Sequence, residues 1–135
     1  MMEINNLTAI TIDKKFLKKI HQKVLRQEKQ KDKNLSVALV GRKKIKELNK
    51  RYRKKNRPTD VLAFSDKEMG LGEIIICPQE VKKNAKKFGF SFKVELARVL
   101  IHGILHLLGY NHGRSKKQAE IMEKKQNQIL ESLKI

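Results

Sequence analysis

The sequence predicts an α+β domain in which a small mixed four-stranded sheet packs with about five helices. Short β-branched runs indicate strands, and apolar residues at helical spacing indicate helices. The two kinds of segment mix without strict alternation, which favours a mixed sheet over a doubly wound one. A length of 135 residues suits a single domain, so we expect residues 1–135 to form one unit.

The predicted elements follow in chain order. Strands are expected at Glu3–Ile12, Leu35–Val40, Val61–Phe64 and Ile74–Ile76, and helices at Lys14–Glu28, Lys43–Arg53, Pro78–Phe88, Phe92–Leu108 and Ser115–Leu133. Asp13 and Ser91 stand where N-caps are expected, and Pro78 suits a first helical turn. Gly109 follows the fourth helix, where a glycine can adopt a left-handed conformation and end it.

The charge of the chain points to a polyanionic partner. Lys and Arg number 32 against 14 Asp and Glu, which gives a formal charge of +18. Nucleic acid is the first candidate and an anionic membrane surface the second, because basic side chains release counterions when they meet phosphates. We expect no stable place in a membrane, since no apolar stretch approaches spanning length. The N-terminus lacks signal-peptide features, so the cytoplasm is the expected compartment.

Three of the four histidines fall within eleven residues and predict a metal site. His102 and His106 are one helical turn apart, so both imidazoles leave the same face of the helix. A turn at Gly109 can bring His112 back toward them. Three imidazoles leave a fourth corner of a tetrahedral ion open, which is typical of catalytic zinc sites. His21 stands alone and is assigned to the surface or to packing.

The spacing from His102 to His112 equals that of the metzincin peptidases, H-E-x-x-H-x-x-G-x-x-H. The glutamate that serves those enzymes as general base is replaced here by Gly103. Without that carboxylate, nothing in the motif takes a proton from water and passes it to a leaving amine. A metallopeptidase therefore remains only as a weaker alternative.

A strongly basic segment precedes the histidines. Ten of the sixteen residues from Arg42 to Arg57 are Lys or Arg, and Glu47 is the only acid. Tyr52 lies inside this run and could stack on a base. A second stripe lies on the third predicted helix and comprises Lys82, Lys83, Lys86 and Lys87. Most of these side chains are interpreted as a solvated face that attracts phosphates.

Four segments resemble the YbeY family of bacterial endoribonucleases. Residues 102–112 (HGILHLLGYNH) are similar to the family's H-G-x-L-H-L-x-G-Y-D-H. Residues 48–53 and 58–64 resemble L-N-x-x-Y-R and P-T-D-V-L-S-F, and residues 71–77 resemble L-G-D-I-x-I-C. The segments occur in the family's order. Asn111 stands where the family usually has Asp, and an amide can only hydrogen-bond whereas a carboxyl can orient a ligand or hold a proton. Ala63 and Glu73 replace Ser and Asp.

The resemblance implies a zinc-dependent endoribonuclease that prefers single strands. It also implies roles in 3′-end maturation of small-subunit ribosomal RNA and in ribosome quality control. Expected partners are ribosomal RNA, the small subunit, one of its proteins and the GTPase Era. Zn²⁺ would be bound by His102, His106 and His112, and the catalytic residues would be Arg53 and His112. Further RNA contacts are assigned to exposed basic residues, namely Arg51, Lys54, Lys55 and Arg57.

A second reading stays open beside the nuclease. A non-catalytic assembly factor could use zinc structurally and its charge to dock on ribosomal RNA, and it would share every compositional feature. The general base is not identified from the sequence. Glu95 lies two turns before His102 on the same helix face, but a favourable interaction with the helix N-terminus is the expected role.

Overall fold

The computed structural model describes residues 1–110, 113 and 115–135. Four strands form one mixed sheet in these residues, and five helices accompany it, which confirms the predicted α+β class. The strands are β1 (Met2–Asn6), β2 (Leu35–Leu39), β3 (Val61–Ser65) and β4 (Gly72–Ile76). The helices are α1 (Lys14–Gln27), α2 (Arg42–Arg53), α3 (Pro78–Phe88), α4 (Phe92–Leu107) and α5 (Lys116–Ser132).

The sheet order is β1-β2-β4-β3. β1, β2 and β4 run parallel, and β3 pairs antiparallel with β4 in a register that places Ala63 opposite Ile74. Parallel neighbours need crossover connections, and α1 supplies the one between β1 and β2. β3 therefore forms an edge of the sheet beside α4, and this edge positions one wall of the candidate site.

The predicted helix starts are confirmed in detail. The side chains of Asp13, Ser91 and Ser115 accept hydrogen bonds from the backbone N–H of Phe16, Val94 and Gln118, each at 3.1 Å. Each bond satisfies one of the backbone donors that a helix leaves unpaired at its first turn. The helices consequently begin within one residue of the predicted positions.

The first strand is shorter than predicted. β1 ends at Asn6, whereas the alternating pattern continues to Ile12. The Asn6 side chain accepts a hydrogen bond from Thr8 N at 3.0 Å and donates one to the carbonyl of Ile10 at 2.8 Å. An asparagine that bonds the backbone just beyond it turns the chain. The Asn6 turn therefore ends the strand despite the β-branched residues that follow.

Helix α4 lies at the centre of the fold. It packs against α1, α3, α5, β3 and β4. Its buried residues belong to the main hydrophobic core together with the inner faces of α1 and the sheet. The interior also holds a thiol and an imidazole. Cys77 is buried, and burial raises the pKa of its thiol. His21 is buried and its Nε2 donates to the Lys33 carbonyl at 3.0 Å, since a carbonyl only accepts.

Phe88 lies outside the buried face of α3. It is 56% exposed, whereas Val81 and Ala85 of the same helix are buried. Phe88 is the last residue of α3, and the helix ends there at Gly89.

Among the described residues, no helix combines the length and the apolar composition needed to cross a bilayer.

Candidate active site

Two of the predicted metal ligands line one cavity. His102 and His106 lie one turn apart on α4 and border a cavity of about 350 Å³. Arg53, at the end of α2, borders the same cavity. The remaining described lining residues are Tyr52, Val61, Leu62, Ala63, Phe64 and Gly103. The structure thus brings the predicted arginine and two predicted ligands together from separate parts of the chain.

Helix α5 fixes the ring of His102. His102 Nδ1 lies 3.0 Å from Oε1 of Gln126. A carboxamide oxygen only accepts, so Nδ1 carries the proton and Nε2 is the nitrogen with a coordinating lone pair. Metal-bound histidines characteristically donate their other ring N–H to such an acceptor. Nε2 of His102 is therefore the atom that would bind a zinc ion.

Gln126 was not singled out from the sequence, although a signal exists. Met122, Gln126 and Ile129 recur at helical spacing, and all three are buried on α5. A polar residue in an apolar stripe needs a partner, because burying an unsatisfied amide is costly. That rule points to a partner for Gln126, but the sequence could not identify it as His102.

A second cavity of about 290 Å³ adjoins the first. The two cavities share Arg53, Val61 and His102, so these residues form the wall between them. The second cavity is more polar than the first. Its other lining residues are Thr59, Asp60, Glu95, Arg98, Val99 and Gln126.

Glu95 is a buried carboxyl in this second cavity. It is only 5% exposed, and its Oε1 accepts no hydrogen bond from any described residue. Arg98 Nη1 approaches the same oxygen at 3.5 Å as an ion pair. Burial raises the pKa of Glu95, and nearby Asp60 adds to the increase, whereas Arg98 opposes it. Glu95 thus lies in the first turn of α4, where an acidic residue was expected to interact favourably with the helix N-terminus, and it also lines the second cavity.

Arg53 owes its place to the loop that follows α2. Lys54 ends the helix in a left-handed conformation, and its backbone N–H bonds to the carbonyl of Lys50 at 3.1 Å. Buried Asn49 donates from Nδ2 to the Arg57 carbonyl at 2.9 Å and fastens the loop to the helix. Sequence reasoning gave no separate role to Asn49. The feature of the sequence that points to this role is the position of Asn49, one helical turn before Arg53.

The other basic residues predicted to contact RNA lie around this loop. Arg51, Lys54, Lys55 and Arg57 are all exposed. None of the four is among the described residues that line the two cavities. These four exposed residues form a charged rim outside the cavities. Among the basic residues predicted to act on RNA, Arg53 is the one that lines both cavities.

The turn after α4 is held by a three-residue contact. Gly109 has the positive φ, +107°, that the sequence predicted. The Tyr110 hydroxyl donates to Glu28, and Lys125 Nζ donates to the other Glu28 oxygen at 3.1 Å. The turn is therefore tied to both α1 and α5. His112 and Asn111 lie outside the described residues, and within the described part no group of three metal-ligating side chains comes together.

Gly103 explains why this chain differs from the metzincin pattern. A Cβ atom at this position would lie 3.0 Å from Cδ1 of Ile74, which is fully buried on β4. A glutamate side chain would therefore start against the sheet and inside the core. The position that carries the peptidase base serves here for close packing of α4 on β4.

A family model described as endoribonuclease YbeY matches residues 3–134. The chain belongs to the YbeY family. All the described residues that line both cavities fall inside the matched range.

Several YbeY relatives match most of the chain, and each is named endoribonuclease YbeY. One from Persephonella marina is 39% identical over 131 residues, which cover 92% of this chain and 86% of the relative. One from Thermodesulfovibrio yellowstonii is 48% identical over 106 residues, covering 74% and 67%. A solution structure of a Thermotoga maritima protein superposes with a TM-score of 0.69 at 36% identity, covering 97% of this chain and 87% of the other.

Proposed function

We propose that this chain is a zinc-dependent endoribonuclease that cleaves single-stranded RNA. The observation that carries the proposal is the placement of Arg53 beside His102 on the wall between the two cavities. Relatives named endoribonuclease YbeY support the reaction class. The formal charge of +18 supports a polyanionic substrate.

His102, His106 and His112 would hold the ion. Zinc in such a site activates water and polarises a phosphodiester at neutral pH. The Arg53 guanidinium would bind the phosphate and offset the negative charge that builds on its oxygens during cleavage. Gln126 would keep the His102 ring in the orientation and tautomer needed for binding. The exposed rim of Arg51, Lys54, Lys55 and Arg57 would attract the strand without choosing its sequence.

The biological setting that we propose is maturation of the 3′ end of small-subunit ribosomal RNA and ribosome quality control, in the cytoplasm. The partners would be ribosomal RNA, the small subunit, one of its proteins and Era. The support is the family membership and the basic surface. Sedimentation of tagged protein with purified small subunits, and mapping of the 16S RNA 3′ end in cells that lack the protein, test this setting.

The test of the activity separates metal binding from phosphate binding. Purified wild-type, His106→Ala and Arg53→Ala proteins are assayed for bound metal by elemental analysis and for cleavage of a labelled single-stranded RNA. We expect His106→Ala to lose both metal and cleavage. Arg53→Ala should keep its metal and cut at least about tenfold more slowly, because one charge-assisted contact is worth roughly 1.5–3 kcal/mol.

Arg26→Ala is the matched control, since it removes one exposed positive charge from α1. It should cut like the wild type. Full cleavage by Arg53→Ala would remove the proposed role of that residue. A metal-loaded wild type that binds ribosomal RNA and never cuts it would favour the non-catalytic assembly factor instead.

A further inference from the structure

We propose that the cavity bordered by Tyr52 and Phe64 is a nucleobase subsite for the nucleotide next to the scissile phosphate. The proposal depends on the proposed function only for the class of ligand, which is single-stranded RNA. The cavity measures about 350 Å³, at the small end of the roughly 300–1,000 Å³ typical of small-molecule sites. It therefore suits one base rather than a duplex.

Two aromatic rings border this cavity from different elements. Tyr52 on α2 and Phe64 on β3 contact each other with ring centroids 5.2 Å apart and planes inclined at 66°. An edge-to-face contact leaves at least one face of the Tyr52 ring uncovered by Phe64. Tyr52 is 58% exposed although it is a large aromatic residue. Phe64 therefore braces a ring that remains accessible for stacking.

The charges around the two cavities indicate how a nucleotide would lie. Arg53 stands on the wall between them, where it can bind a phosphate. The second cavity contains the carboxyl groups of Glu95 and Asp60, which oppose a phosphate. The described lining of the first cavity contains no carboxyl group. A phosphate that Arg53 binds on the side of the first cavity would leave its neighbouring base in the cavity that Tyr52 borders.

The arrangement provides a physical reason for a preference for single strands. A base can reach the Tyr52 ring only when it is splayed away from its neighbours, which a paired A-form helix does not allow. Stacking on an aromatic ring is tolerant of sequence, because every base has a π face. The subsite should consequently select unpaired RNA without selecting a particular base.

The experiment measures binding without cleavage. The probe is a short single-stranded 2′-O-methyl oligonucleotide that contains 5-iodouridine and a fluorescent end label. The full-length protein with its metal bound is titrated with it at low salt and followed by anisotropy, then irradiated and digested to locate the crosslink. We expect the crosslink on Tyr52. Tyr52→Leu should weaken binding about tenfold, and Tyr52→Phe should keep it.

Phe88→Leu is the matched control, because Phe88 is equally exposed but lies at the end of α3, outside the described lining of the cavity. It should bind like the wild type. Wild-type affinity in Tyr52→Leu, crosslinks that map only elsewhere, or no binding by the wild type would each overturn the subsite. Failure of the wild type to cut unmodified RNA would instead refute the nuclease while leaving a Tyr52 crosslink intact.

Discussion

His102 Nδ1 lies 3.0 Å from Oε1 of Gln126, so the last helix of the chain determines how a ring on α4 faces the cavity. Gln126 is buried and stands two helical turns before the end of α5. The contact joins residues 24 positions apart. Metal affinity should therefore depend on a residue that need not touch the metal.

Gln126→Leu is expected to weaken zinc binding by about 10–100-fold, the usual cost of removing the hydrogen-bond partner of a metal-bound histidine. Gln126→Glu keeps an acceptor and should bind zinc at least as tightly as the wild type. Competition with a zinc-binding dye measures both constants. Gln128→Leu, an exposed change on the same helix, is the control. Equal affinities in Gln126→Leu and wild type would show that α5 does not orient the ring.

Asn49→Ala should destabilise the protein by about 1–3 kcal/mol, because the buried side chain loses its bond to the Arg57 carbonyl. The loop that follows Arg53 would lose its fastening, so RNA cleavage should fall as well. Urea denaturation gives the free energy of unfolding. Asn56→Ala removes an exposed amide from the same loop and should change it little. A stable Asn49→Ala protein would contradict the fastening role.

The stability of the protein should depend on pH through Glu95. Burial raises the pKa of this carboxyl above its ordinary value of 4.5, so the folded chain holds the proton to higher pH than the unfolded chain does. The free energy of unfolding therefore falls as the pH rises from 4.5 through the folded-state pKa. Glu95→Gln removes the titrating group, so the free energy of unfolding should no longer fall over this pH range. Its melting temperature should match the wild type near pH 4 and exceed it at pH 7.

Glu123→Gln is the control for this comparison, because it removes an exposed carboxyl. Its melting temperature should match that of the wild type both near pH 4 and at pH 7. A wild type that melts above Glu95→Gln at pH 7 would mean that the ion pair with Arg98 outweighs the cost of burial.

Substitutions at Gly103 test the close packing of α4 on β4. Gly103→Ala places a Cβ atom 3.0 Å from Ile74, and the overpacking cost of about 1–3 kcal/mol is partly offset by about 1 kcal/mol of helix propensity. A net loss of about 1 kcal/mol is expected. Gly103→Glu buries a carboxylate as well and should lose far more. Thermal melting measures both, and a Gly103→Glu protein as stable as the wild type would disprove the packing argument.

The secondary structure could be predicted well because its signals are local. Capping residues such as Asp13 and Ser91 bond to a backbone N–H three positions further along the chain. The periodicity that predicts a helix likewise relates residues only three or four positions apart. The end of β1 was predicted wrongly, because the Asn6 turn overrides a continuing β-branched pattern. Local sequence signals compete there, and the one that satisfies backbone groups prevails.

The candidate site could be predicted only in part. Spacing on a single helix placed His102 and His106 on one face, and their shared cavity agrees with that prediction. The contributions of Gln126 and Glu95 depend on how α5 and the loop before β3 pack against α4, and no local pattern encodes that packing. The position of His112 lies outside the described residues, so the full ligand set remains a prediction.

Helix α4 carries the paired histidines between residues that fill the core, as in Ile101, Leu105 and their neighbours. A conservative exchange at one of these apolar positions would shift the backbone from which an imidazole projects. Substitutions at these buried apolar positions should therefore change the amount of bound metal before they prevent the chain from folding. A change in the core of α4 can therefore alter the chemistry of the site although the exchanged side chain touches neither RNA nor metal.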